Sequence, residues 1–121
     1  MQAKVLLTGI LMVVLLSACT SSADEGLSPE QAARHVGETA TVCGRIASSH
    51  YAETGDGQPT FVNLDKPYPK QVFTIVIFGD YRAKFVPPPE AWTGHLCVTG
   101  KITSYRGKPE MKVVDPSQVR R

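Results

Sequence analysis

The chain has 121 residues, 42% of them hydrophobic and 20% charged, with 13 Lys and Arg against 11 Asp and Glu. That length is expected to build one small domain around one core. The near-balanced charge excludes a uniformly basic protein, so any pull on a polyanion has to come from local asymmetry.

The first element reads as a leader. Lys4 precedes the apolar run VLLTGILMVVLLSA, which at about fourteen residues is too short to cross a ~30 Å hydrocarbon core. A positive start, a short apolar stretch and small residues before a cut describe a secretory signal over residues 1–18. LLSAC resembles the lipobox of bacterial lipoproteins, which implies cleavage before Cys19, a diacylglycerol thioether on its sulfur and an acyl chain such as palmitate on its amine. Two or three chains make such an anchor stable, since each buried CH₂ contributes ~0.8 kcal/mol. Thr20 stands where an aspartate would retain the product at the inner membrane. The expected address is therefore the cell envelope, lipid-anchored at the outer membrane and facing the periplasm. An ordinary signal with an incidental cysteine is the plainer alternative. Residues 19–27 contain TSSADEG, which is small, polar and acidic and reads as a flexible tether.

The domain expected over residues 28–119 opens with a short helix. Ser28 can cap it, Pro29 suits its first position, Gln31 completes a capping box and Gly37 ends it. TATVCGRIASSHYA then reads as a long strand, bent or bulged at Gly44. ETGDGQP is a glycine-rich turn, and TFVNL alternates as a second strand. DKPYPK cannot continue a central strand, because its two prolines donate nothing to a ladder. QVFTIVIFG is apolar on both faces, as a central strand is, and DYRAKFVPPPEAW is a connector with a turn or two of helix before its three prolines. CVTGKITSYRGKPEMKVV forms a hairpin whose two β-rich runs are interrupted by Arg106, Gly107, Lys108 and Pro109, and DPSQVRR is a polar tail.

With Cys19 assigned to lipid, Cys43 and Cys97 remain in an oxidising setting where disulfides persist. They lie in similar strand contexts, TVCGRI and HLCVTGKI. If those strands are neighbours, a bridge closes a loop of about 54 residues and contributes ~4 kcal/mol. Two buried thiols are the alternative. No CxxC or HxxxH spacing supports a metal site.

GQPTFVNLDKPYPKQVFTIVIFG followed by LCVTGKITSYRGKPEMKVVDPSQV resembles bacterial OB-fold nucleic-acid-binding domains of the tRNA-anticodon-like type. The resemblance runs from about Val36 to Val119, and GQPTFVNL, VTGKI and YRGKPE are its most distinctive parts. It implies an all-β fold, a five-stranded Greek-key OB-fold barrel with a short N-terminal helix. In such a barrel strands one and four are antiparallel neighbours, which would suit a Cys43–Cys97 bridge.

OB-folds bind along strands two and three, flanked here by His50 to Pro59 and by Tyr105 to Pro109. Single-stranded nucleic acid needs aromatic faces for its bases and cations for its phosphates. Tyr51, Phe61, Phe73 and Tyr105 are candidate platforms, and Asn63 can hydrogen-bond a base. Lys84, Lys101, Arg106, Lys108 and Lys112 are candidate phosphate partners. Each has a plainer role: Phe61 and Phe73 as barrel core, Lys101 and Lys112 as guards of a sheet edge, and Arg106 and Lys108 as solvated turn residues. Trp92 suits a plug at the barrel's end. Charge is lopsided, with two basic and six acidic residues over 19–57 but ten basic and five acidic over 58–121.

His35, His50 and His95 are scattered, and no serine or cysteine stands in a nucleophile motif. The sequence therefore predicts a non-catalytic module with no cofactor, no metal and no small-molecule substrate. Its expected partners are the membrane, through the N-terminal lipid, and single-stranded DNA or RNA. The competing expectation is a periplasmic module that uses the same face to contact an envelope protein or glycan.

Overall fold

The computed structural model describes residues 9, 12, 13 and 26–121. Cys19 and most of the leader and tether lie outside the described residues. Strand β1 (Thr39–Tyr51) is long enough to serve both halves of a barrel. Its first half runs antiparallel to β4 (His95–Tyr105), from Thr39 opposite Lys101 to Arg45 opposite His95. Its second half runs antiparallel to β2 (Thr60–Leu64), ending with Tyr51 opposite Thr60. β3 (Phe73–Ile77) pairs antiparallel with β2 and parallel with β5 (Lys108–Lys112), which pairs back onto β4. The order β1-β2-β3-β5-β4 closes through the β1–β4 pairing, so the fold is an all-β OB barrel, as the resemblance implied.

All five residues of β3 are buried, as its two apolar faces require. Val62, Leu64, Phe73, Ile75, Ile77, Ile102 and Met111 meet in the interior, each contributing about 1.5–3 kcal/mol by leaving water. Phe85 and Trp92, from the connector after β3, pack edge to face at 5.7 Å between centroids and join the same core. That connector holds one helical turn, α1 (Gly79–Arg82), and a 3-10 turn, Pro89–Ala91. The Trp92 Nε1–H donates to the Pro87 carbonyl at 3.0 Å, so the indole is a satisfied plug, 4% exposed.

Cys43 and Cys97 are directly opposite on β1 and β4, 4.0 Å apart at Cα, and form a disulfide. It closes 54 residues of chain, worth ~4 kcal/mol by loop entropy.

Four local expectations change. The irregularity in β1 falls between Ile46 and Ser48, not at Gly44. Gly44 answers a different need, because a Cβ there would lie 2.5 Å from Pro29 Cγ. The Ser28–Gln31 box forms reciprocally, at 2.9 and 3.1 Å, but it leads into only a 3-10 turn, Gln31–Arg34, whose own N-cap, Glu30, makes no side-chain cap bond. The hairpin turn is just Arg106 and Gly107, with φ of 49° and 79°, which matches the twist of the flanking strands; Lys108 and Pro109 already belong to β5. The polar tail is ordered, since Asp115 and Gln118 cap the 3-10 turn Pro116–Gln118 and Val119–Arg120 (β6) pairs with β4.

Candidate functional site

Strand alternation sorts β2 cleanly. Val62 and Leu64 point into the core, which leaves Phe61 and Asn63 on the outer face. Cross-strand partners share that face: Ser48 and His50 from β1, Thr74 from β3 and, across the parallel pair, Glu110 from β5. With Tyr105 at the end of β4 and Tyr68 and Gln71 from the β2–β3 connection, they line a cleft of about 550 Å³.

The floor is a polar network. The Asn63 Nδ2 donates to Ser48 Oγ at 3.0 Å, and the Thr74 hydroxyl donates to Asn63 Oδ1 at 3.0 Å. The Tyr68 backbone N–H donates to the same Ser48 oxygen at 3.1 Å. Asn63 is 3% exposed and committed at both ends of its amide. It ties β1, β2 and β3 together at the floor of the cleft.

The walls are aromatic and open. Tyr68 and Tyr105 are 73% and 57% exposed, and Phe61, half-buried, lines the same cleft. Two polar groups in the lining differ from the floor. Burial pushes the Glu110 carboxyl above the usual carboxylate range, against the opposing pull of Lys112. The Gln71 Oε1 is buried and accepts no hydrogen bond from the described residues, a state that costs about 1–3 kcal/mol.

A shallower recess of about 260 Å³ shares Tyr68, Gln71, Tyr105 and Glu110 with the cleft and adds Arg106 and Lys108. The Arg106 guanidinium carbon lies 5.2 Å from the Tyr105 ring centroid. The Lys108 ammonium donates to the Pro69 carbonyl, which ties the hairpin tip to the β2–β3 connection. Lys66 and Lys70 are exposed on that same connection. The cleft thus runs from aromatic and acceptor-bearing groups to a cationic rim.

Of the residues chosen from sequence, the structure brings Phe61, Asn63, Tyr105, Arg106 and Lys108 together. It sets the others apart. Phe73 is fully buried in the core and has no face for a ligand, because its parity on β3 points inward. Tyr51 is stacked beneath Arg82, with the guanidinium carbon 3.8 Å from the ring centroid. Lys84 lines a different depression beside Trp92 and Arg121. Lys101 sits on the β1–β4 side, opposite Thr39. Lys112 shares Glu110's parity but its ammonium lies 5.9 Å from the Phe78 ring centroid, next to the cleft and not in its lining. Tyr68, Gln71 and Glu110 escaped sequence reasoning. The tyrosine between two prolines and the every-other-residue placement of Lys108 and Glu110 were the available signals.

These features define the class, an OB-fold domain with an open outer cleft. No family model matches the chain, and no curated protein is significantly similar to it in sequence. Among solved structures, the fold is similar to a chain assigned as an aspartyl-tRNA synthetase from Leishmania major Friedlin. The match has a TM-score of 0.54 and 13% identity, over 83% of this chain and 21% of that one. This chain therefore spans about a fifth of that protein's length, and the likeness is one of fold.

Proposed function

We propose that the chain is a non-catalytic OB-fold module that binds single-stranded nucleic acid along the outer face of β2, β3 and β5, held at the cell envelope by lipid on Cys19. One observation carries the reading: a cleft walled by Phe61, Tyr68 and Tyr105 opens directly onto the cations Arg106 and Lys108. An unpaired nucleotide has matching parts, a flat base and an anion one sugar away. The fold it shares with an aspartyl-tRNA synthetase supports the same class of ligand. Both cysteines of the domain are spent in the disulfide, which leaves neither as a thiol nucleophile.

The test is fluorescence anisotropy of the full-length protein in detergent with labelled single-stranded DNA and RNA across salt. The expected result is salt-sensitive binding. Replacing both cations (Arg106→Glu with Lys108→Glu) should weaken it and make the log–log salt slope shallower by about 1.4, as two lost phosphate contacts predict. No binding at low salt would reject nucleic acid and favour an envelope protein or glycan. The anchor is tested separately, since a Cys19→Ser precursor that still takes up labelled palmitate would reject it.

A further inference from the structure

Away from the cleft the barrel carries a second outward face, built by the first half of β1 with β4 and β6. Val42, Leu96 and Val98 point into the core, so their neighbours along the strands point out. The 2.7 Å contact between the Thr41 and Thr99 hydroxyls and the Cys43–Cys97 bridge mark that outer side. Lys101 stands two residues beyond Thr99, and Arg45 stands two beyond Cys43 with His95 opposite it. Arg120 stands opposite Cys97 on β6. Arg45, Lys101 and Arg120 are all exposed. None of these paired outward positions holds an acid. The Asp65 carboxylate, which accepts from the Arg45 backbone N–H at 3.4 Å, is on the other side of β1, because a Cβ on Gly44 would lie 3.2 Å from its Oδ1. Nor do the paired positions hold a Tyr, Phe or Trp, so the face is cationic without the stacking surface that unpaired bases need.

The N-terminal segment joins the barrel at this same face. The Leu27 N–H donates to the Thr41 carbonyl at 2.8 Å, and the Cys43 N–H donates to the Leu27 carbonyl at 2.9 Å. A Cβ on Gly26 would lie 3.0 Å from Cys43 Sγ, so the chain leaves the barrel against the disulfide. Cys19 stands eight residues before Leu27, a reach of at most about 29 Å. Resting on the lipid anchor proposed above, we propose that this face docks on the anionic phospholipid headgroups of the anchoring membrane. A surface of negative headgroups attracts each Lys or Arg brought near it, and a short tether keeps all three cations within reach of it. In the closed order β1-β2-β3-β5-β4, β3 is the strand farthest from the β1–β4 pairing. Docking here turns the outer face of β2, β3 and β5 away from the membrane and leaves the cleft open to its ligand.

The experiment reconstitutes the lipidated full-length protein in vesicles of phosphatidylcholine, with and without phosphatidylglycerol, and treats them with a membrane-impermeant amine reagent. Mass spectrometry compares labelling of Lys101 with that of Lys66 and Lys70, which are exposed on the β2–β3 connection. The relative labelling of Lys101 is expected to fall roughly fivefold when phosphatidylglycerol is present, as one basic contact with an anionic surface predicts, and to recover in high salt. Arg45→Glu with Arg120→Glu should restore it, whereas Arg106→Glu with Lys108→Glu should not. Equal Lys101 labelling in both kinds of vesicle, or a loss at Lys66 and Lys70 instead, overturns the docking and leaves the anchor intact. Protection of Lys101 by single-stranded DNA and not by vesicles assigns the face to nucleic acid and also overturns the docking. Failure to float with either kind of vesicle overturns anchor and docking together.

Discussion

Glu90 and Glu110 are two glutamates on one small barrel, and their surroundings move them in opposite directions. Glu90 follows the connector prolines and meets Arg82 through a two-pronged ion pair. The same guanidinium stacks on Tyr51 and donates to the buried Thr60 hydroxyl at 3.3 Å, while the Ser49 hydroxyl donates to the Glu90 carbonyl at 3.1 Å. Hydrogen bonding from Arg82 holds the Glu90 carboxyl below the usual range, outweighing its partial burial. Glu110 lines the open cleft, where burial dominates and its carboxyl rises. In the first region the polar groups complete one another, so they fasten the connector to β1 and β2. In the second they stay partly unsatisfied beside exposed aromatic rings. A desolvated carboxylate whose cation bonds it directly is scaffold; one in which burial outweighs a nearby cation is a candidate site.

The comparison can be broken most forcefully at the connector. Trp92→Ala should cost about 3–5 kcal/mol, from lost burial and the cavity left against Phe85. Urea unfolding would read the loss, and cleft binding of the molecules that remain folded should be unchanged. A loss of binding with stability retained would show that the two regions are not separate.

A smaller effect is expected at the ion pair. Glu90→Gln should cost about 1 kcal/mol at neutral pH, since the pair is only partly shielded from water. A lowered folded-state pKa contributes stability that is present above the unfolded value and lost as pH falls through the folded one. The difference between wild type and Glu90→Gln should therefore shrink on acidification through and below the ordinary carboxylate range.

Glu110→Gln should have the smallest effect and the opposite sign, stabilising the fold by about 0.5 kcal/mol or less at neutral pH because solvent screens a half-exposed carboxylate. With a raised folded-state pKa, the cost of ionising Glu110 is absent while both states are protonated. It appears as pH rises past the unfolded value and is complete above the folded one. The gain from Glu110→Gln should accordingly vanish in acid. Urea titrations of both variants across pH would show opposite slopes; slopes of the same sign would remove the distinction between staple and site.

Much of the barrel was legible in the order of residues. The two-faced apolar run of β3, the glycine-containing hairpin turn, the Ser28–Gln31 box and the spacing of Cys43 and Cys97 each follow from local chemistry or from strand order. Part of the site was legible too, because Phe61, Tyr105, Arg106 and Lys108 stand on the strand and turn that an OB barrel aims at its ligand. The tertiary structure decided the rest. Phe61 and Phe73 look alike as aromatic strand residues, yet register sends one to the cleft and the other to the core. Tyr51 reads as an open platform until Arg82, 31 positions away along the chain, covers it. Thr74 and Glu110, 36 positions apart, share a cleft because β3 and β5 run parallel, a pairing no local pattern encodes. Periodicity states that alternate residues of a strand share a face, but only the neighbouring strands determine which face is sealed and which stays open to a ligand.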